Sequence, residues 1–131
     1  MKIIHTSGKR KESVARATLY PGDGTVRVNG QLLEFWNPGM QQMKVREPLI
    51  LAGEAAEKAS IKLNVHGGGV SSQAEACRLA VSRAMVEFDK KLEKTYLAYD
   101  RQLLVADVRR KESRKPNTHG NARAMRQKSY R

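Results

Sequence analysis

The chain has 131 residues, with 25 Lys and Arg against 13 Asp and Glu, for a formal net charge of +12. That length supports one hydrophobic core and excludes two independent ones. The single cysteine, Cys77, excludes an intramolecular disulfide framework, and no apolar run approaches the roughly 18 residues of a membrane span.

The opening MKIIHTSGKRK has basic residues with no apolar segment behind them. It reads as neither a secretory signal nor a transit peptide, so a cytoplasmic location is expected. Lys2 to Thr6 runs into Ser7-Gly8, which predicts a short strand closed by a turn. The basic cluster Lys9, Arg10, Lys11 follows. From Ser13 to Tyr20, Ala15, Ala17 and Leu19 alternate with Arg16, Thr18 and Tyr20, the period of a half-buried strand. Pro21-Gly22-Asp23-Gly24 is a dense turn signal before Val26 and Val28 resume the alternation, and the two strands are expected to form a hairpin.

Asn29-Gly30 gives a second turn, and Gln31 to Trp36 predicts a short helix ended by Asn37-Pro38-Gly39. Pro48 suits the first turn of a helix that Gly53 interrupts, leaving a second piece from Glu54 to Ala59. Ile61, Leu63 and Val65 alternate with Lys62, Asn64 and His66 in a clear strand. After Gly67-Gly68-Gly69, the residues Val70, Ala74, Cys77, Val81, Met85 and Phe88 recur at helical spacing, and Ser72 with Glu75 predicts a capping box. This helix is expected from Ser72 to about Lys90, followed by helical pieces at Leu92 to Tyr99 and Asp100 to Val105. Strands first and helices later predict an α+β fold, a two-layer α/β sandwich with a mixed sheet and helices on one face.

Residues 1–108 are read as this domain and 109–131 as a basic tail. The tail holds nine of the cations against one acid, Glu112, so most of the net charge is local. With Met125 and Tyr130 as its only sizeable apolar side chains, it has no face to bury and is expected to be disordered alone. Localised positive charge calls for a polyanion, most commonly a nucleic-acid backbone; the alternative is a solvated tail. Arg109, Arg110, Lys111, Arg114, Lys115, Arg123, Arg126, Lys128 and Arg131 are the candidate phosphate ligands, with Tyr130 available for stacking. Lys9, Arg10, Lys11 and Arg16 form a second basic group, whose side chains are expected along one edge of the sheet.

Little points to catalysis. GGGVSSQ lacks the Lys-Ser/Thr pair of a P-loop and reads first as a tight turn, second as a close approach to an RNA phosphate. His5, His66 and His119 have no partners at metal-ligand spacing, and Cys77 lies on an apolar stripe, where a thiol is inert. No enzyme activity, cofactor or metal is expected.

Six segments in order, SGKRKESVARA, VNG, EPLILAG, GGGVSSQAEA, YDRQLLVADVRRKE and RQKSYR, closely resemble the family of small-subunit ribosomal protein nine, in its archaeal and eukaryotic branch. The compact length is similar to archaeal members. The resemblance implies a ribosomal-protein-type sandwich with a left-handed βαβ crossover, against the general handedness rule. It implies a structural constituent of the small ribosomal subunit that binds the head of the ribosomal RNA beside neighbouring head proteins. Its tail would reach the anticodon stem-loop of the peptidyl-site transfer RNA, with Lys128, Tyr130 and Arg131 at the tip. Rival readings are a free-standing RNA-binding or annealing protein and a small phosphotransfer enzyme using Gly67 to Gly69.

Overall fold

The computed structural model describes residues 3–109, 112–116 and 122. Five strands form one mixed sheet: β1 (Ile4–Arg10), β2 (Ser13–Pro21), β3 (Val26–Val28), β4 (Gln31–Leu32) and β5 (Ala59–His66), in spatial order β1-β2-β5-β3-β4. The helices are α1 (Met40–Ala52), α2 (Glu54–Glu57), α3 (Val70–Phe88) and α4 (Leu92–Tyr99), with short 3-10 turns at Leu33–Phe35 and Arg101–Leu103. The expected α+β sandwich is present. One face of the sheet, through Ile4, Ala15, Ala17, Leu19, Ile61, Leu63 and Val65, meets Ala76, Cys77, Ala80, Val81 and Ala84 of α3 in a single core.

The first strand runs past the expected turn. Ser7 and Gly8 pair with Arg16 and Ala15, and the chain reverses only at Lys11-Glu12. Gly8 serves packing there: a Cβ would meet the backbone of α3 at Ala76 and, at 2.8 Å, the Ala80 nitrogen. Small residues on the facing stretch of α3 thus let helix and strand approach backbone to backbone.

The expected β2–β3 hairpin does not form. Strand β5 lies between them, antiparallel to β2 and parallel to β3. Turn residues specify that the chain bends, not what it pairs with. Here the Pro21–Gly24 loop is anchored to β5, with Gly22 N donating to Lys58 O at 2.9 Å and the Ser60 hydroxyl donating to Asp23 Oδ1 at 3.1 Å. The Asp23 carboxyl is held below its ordinary pKa by hydrogen bonds from Thr25 and Ser60. Asn29 adds two bonds to the Val65 backbone, fixing the parallel register.

Helix α1 begins at Met40, not at Pro48, and passes through the proline. Pro48 is buried with Val45 and Ala52 at spacings of three and four, so packing on the helical layer offsets its missing N–H. The Pro48 carbonyl accepts a 2.7 Å hydrogen bond from the buried Tyr96 hydroxyl, whose pKa burial raises. Gly53, at φ +59°, ends α1 as expected. Gln31 to Trp36 is a two-residue strand and a 3-10 turn, not a helix.

The capping box is also absent. Helix α3 starts at Val70 with Gly69 as its N-cap and no side-chain cap, while Glu75 is engaged by Arg10 and Lys44. Gly67 and Gly68, at φ +79° and +62°, form the tight turn between β5 and α3. The turn packs on Ser13, whose hydroxyl donates to Gly67 O at 2.8 Å.

Candidate nucleic-acid interface

The Lys9–Lys11 run does not act as one patch, because a strand sends successive side chains to opposite faces. Lys9 and Arg16 are exposed on the open face of the sheet, away from the helices. Arg10 points the other way. Its guanidinium lies 2.6 Å from a Glu75 oxygen, without hydrogen-bond alignment at Nε, and it also pairs with Asp107. Only 19% of the Arg10 side chain is exposed.

These contacts belong to a larger network. Arg78 bonds Glu47 at 2.8 Å and Asp100 at 3.2 Å, Lys44 reaches Glu75 at 3.5 Å, and Asp107 takes Arg109 on both its oxygens at 2.7–3.1 Å. Four carboxylates (Glu47, Glu75, Asp100, Asp107) therefore meet four cations (Arg10, Lys44, Arg78, Arg109) at the junction of α1, α3 and the segment after α4. The network fixes the direction in which the chain leaves the domain: Asp107 is gripped from the sheet by Arg10, and Arg109 folds back on it.

Removing Arg10 should therefore act on stability. Arg10→Gln leaves Glu75 with Lys44 and Asp107 with Arg109, so the loss falls below that for a fully buried pair, to about 1–3 kcal/mol. Lys9→Gln should leave stability within about 0.5 kcal/mol and lower the salt slope of RNA binding by roughly 0.7–0.9. Denaturant unfolding and salt-titrated RNA binding of both variants check this; the opposite assignment of effects would refute it.

Lys11 sits at the tip of the β1–β2 loop with φ +55°, a left-handed conformation that costs a non-glycine residue about 1–2 kcal/mol. It borders a groove with Glu12, Gly68, Gly69, Ser72 and Arg109 at the N-terminus of α3. The uncapped N–H groups of α3 face this groove, but its charges are mixed: Glu12 opposes Lys11, and Arg109 is already paired with Asp107.

Arg114 and Lys115 are exposed. Arg110, Lys111, Arg123, Arg126, Lys128, Tyr130 and Arg131 lie outside the described residues. Two further exposed cations share the open face with Lys9 and Arg16: Arg27 on β3 and Lys62 on β5. Sequence reasoning passed over them because each stands alone; only the sheet register brings them together.

Nothing in this arrangement resembles a catalytic centre. Cys77 is buried, and desolvation pushes its thiol up to about 12. No cluster of three metal-ligating side chains occurs among the described residues. No described helix is long and apolar enough to cross a membrane.

Comparison with known proteins gives this geometry its context. Residues 8–131 match the family described as Ribosomal protein S9/S16. The chain is 48% identical over 134 residues to the small ribosomal subunit protein uS9 of Methanococcus maripaludis strain C7, covering 100% of both chains. It is equally similar to the uS9 of strain C5, and 46% identical to that of Methanococcus vannielii, again over the full length of both. The chain belongs to the Ribosomal protein S9/S16 family, in its archaeal branch, and is a structural ribosomal protein, not an enzyme.

Proposed function

From that family membership, we propose that the chain is a constituent of the small subunit of the cytoplasmic ribosome, anchored on the head of its ribosomal RNA beside neighbouring head proteins. The domain, residues 1–108, serves as the mount and residues 109–131 as the RNA-threading tail. Lys9, Lys11 and Arg16 meet phosphates from the domain, while Arg10 is committed to the junction that aims the tail. Arg109, Arg110, Lys111, Arg114 and Lys115 lead the tail through RNA, screening phosphate repulsion, and Arg123 and Arg126 carry it onward. Lys128, Tyr130 and Arg131 reach the anticodon stem-loop of the peptidyl-site transfer RNA. There a guanidinium offers a bidentate phosphate contact that lysine cannot reproduce.

The observation that carries this reading is the full-length likeness to small-subunit proteins combined with a charge concentrated in 23 residues. Sucrose-gradient fractionation tests it. The protein is expected to co-migrate with small subunits through a high-salt wash; recovery only in light fractions would favour a free-standing RNA-binding protein. Removal of Ser129 to Arg131 tests the tip. Assembly should stay nearly intact while transfer-RNA retention in the peptidyl site weakens, and normal retention with normal reading-frame maintenance would exclude a role for it.

A further inference from the structure

The strands place no carboxylate on the open face of the sheet; at its end, Asp23 of the loop after β2 accepts from the Ser60 hydroxyl and from Thr25. The outward residues of this face are His5, Ser7 and Lys9 on β1, Val14, Arg16, Thr18 and Tyr20 on β2, Ser60, Lys62, Asn64 and His66 on β5, and Arg27 on β3. None of the four cations makes an ion pair with a described residue. This contrasts with the junction around Arg10, where four carboxylates meet four cations.

Register sets the pattern. Lys9 is level with Val14 and His66, Arg16 with Ser7 and Asn64, and Lys62 with Thr18 and Arg27. Each move of one strand, from Lys9 to Arg16 to Lys62, therefore advances two residues along the strands, and Arg27 flanks Lys62. With strands about 4.8 Å apart and about 3.3 Å per residue, each diagonal step is about 8 Å and the row spans roughly 20 Å. Thr18, Ser7 and Asn64 place neutral hydrogen-bonding groups beside it, and Lys62 rests 5.6 Å from the centre of the Tyr20 ring.

We infer that this face is a second RNA-docking surface, across which one phosphate backbone of folded RNA lies diagonally along Lys9, Arg16, Lys62 and Arg27. A linear polyanion complements a linear row of uncompensated cations, and the neutral side chains beside it suit sugar hydroxyls and phosphate oxygens. Recognition here is of backbone, not of base sequence. The inference rests on the ribosomal reading above and adds to it the sheet face, including Arg27 and Lys62.

The test uses the full chain and small-subunit ribosomal RNA transcribed in vitro, with affinity measured against salt. Joint replacement Arg16→Gln, Arg27→Gln and Lys62→Gln should lower the salt slope by about two to three units and weaken binding roughly a hundredfold at 0.1 M salt. Thermal unfolding should be close to that of the unaltered chain, since all three side chains are exposed. Joint replacement Lys90→Gln, Lys91→Gln and Lys94→Gln removes the same charge from the helical layer and should change the slope by less than one unit. Equal losses in the two variants would reduce the effect to net charge and overturn the inference. An unchanged slope in the sheet variant, with tight binding by the parent chain, would also overturn it, leaving the ribosomal reading intact and the face open to an acidic protein. Absence of salt-dependent binding by the parent chain would remove both.

Discussion

Truncation after Arg109 should lower the salt slope of ribosomal-RNA binding by about three to four units, if about five of the removed cations meet phosphates at the single-strand value of roughly 0.7 each. Between 50 and 200 mM salt, that difference amounts to about a hundredfold in affinity. The cut retains the Asp107–Arg109 pair, so the ion-pair network at the root survives. Among the described residues, the buried apolar core runs from Ile4 to Leu103 and lies before the cut. Salt-titrated binding with a parallel circular-dichroism melt separates loss of contacts from loss of fold. An unchanged slope in a folded truncation would mean that these cations are merely solvated.

The largest effect on stability is expected at Gly8. In Gly8→Ala the new methyl meets the Ala76 carbonyl and lies 3.0 Å from the Leu79 Cβ, so α3 must lift from β1. Neither neighbour is the end of a flexible side chain, which puts the cost at the upper end of the overpacking range, about 3 kcal/mol. For a domain near 100 residues this lowers Tm by roughly 12–24 °C. Gly69→Ala is the control: nothing lies within 4 Å of its added Cβ and its φ of −97° suits any residue. A melt of Gly8→Ala within about 2 °C of the parent would refute the backbone-to-backbone contact.

Periodicity proved reliable where one face alone decided the outcome. Ala15, Ala17 and Leu19 are buried as their alternation predicts, and α4 spans the residues anticipated for it. Of the stripe on α3, Ala74, Cys77, Val81 and Met85 lie in the core, whereas Phe88 is partly buried and Val70, in the first turn, is exposed. Partner choice was not readable, because Pro21–Gly24 looks the same whether Val26 returns to β2 or swings beyond β5. Local rules also failed where tertiary packing outweighed them. Pro48 stays inside a helix because Val45 and Ala52 share its buried face, and Glu75 forgoes its cap for Arg10, a residue 65 positions earlier. The same limit applies to the interface: runs such as Lys9-Arg10-Lys11 are visible in sequence, but a strand divides them between faces and then recruits Lys62 and Arg27 from elsewhere.

The central position of β5 has a consequence for biosynthesis. The hairpins β1–β2 and β3–β4 are both complete by Leu32, yet neither contacts the other until Ala59–His66 arrives to bridge them. Until then the inner edges of β2 and β3 are exposed, each a template for wrong pairing. Long-range closure of this kind is slow, so the nascent chain has a window open to aggregation that ends only when about half of it has been made. Sequestering those edges, by a chaperone or by nascent RNA, is thus most valuable before α3 is synthesised.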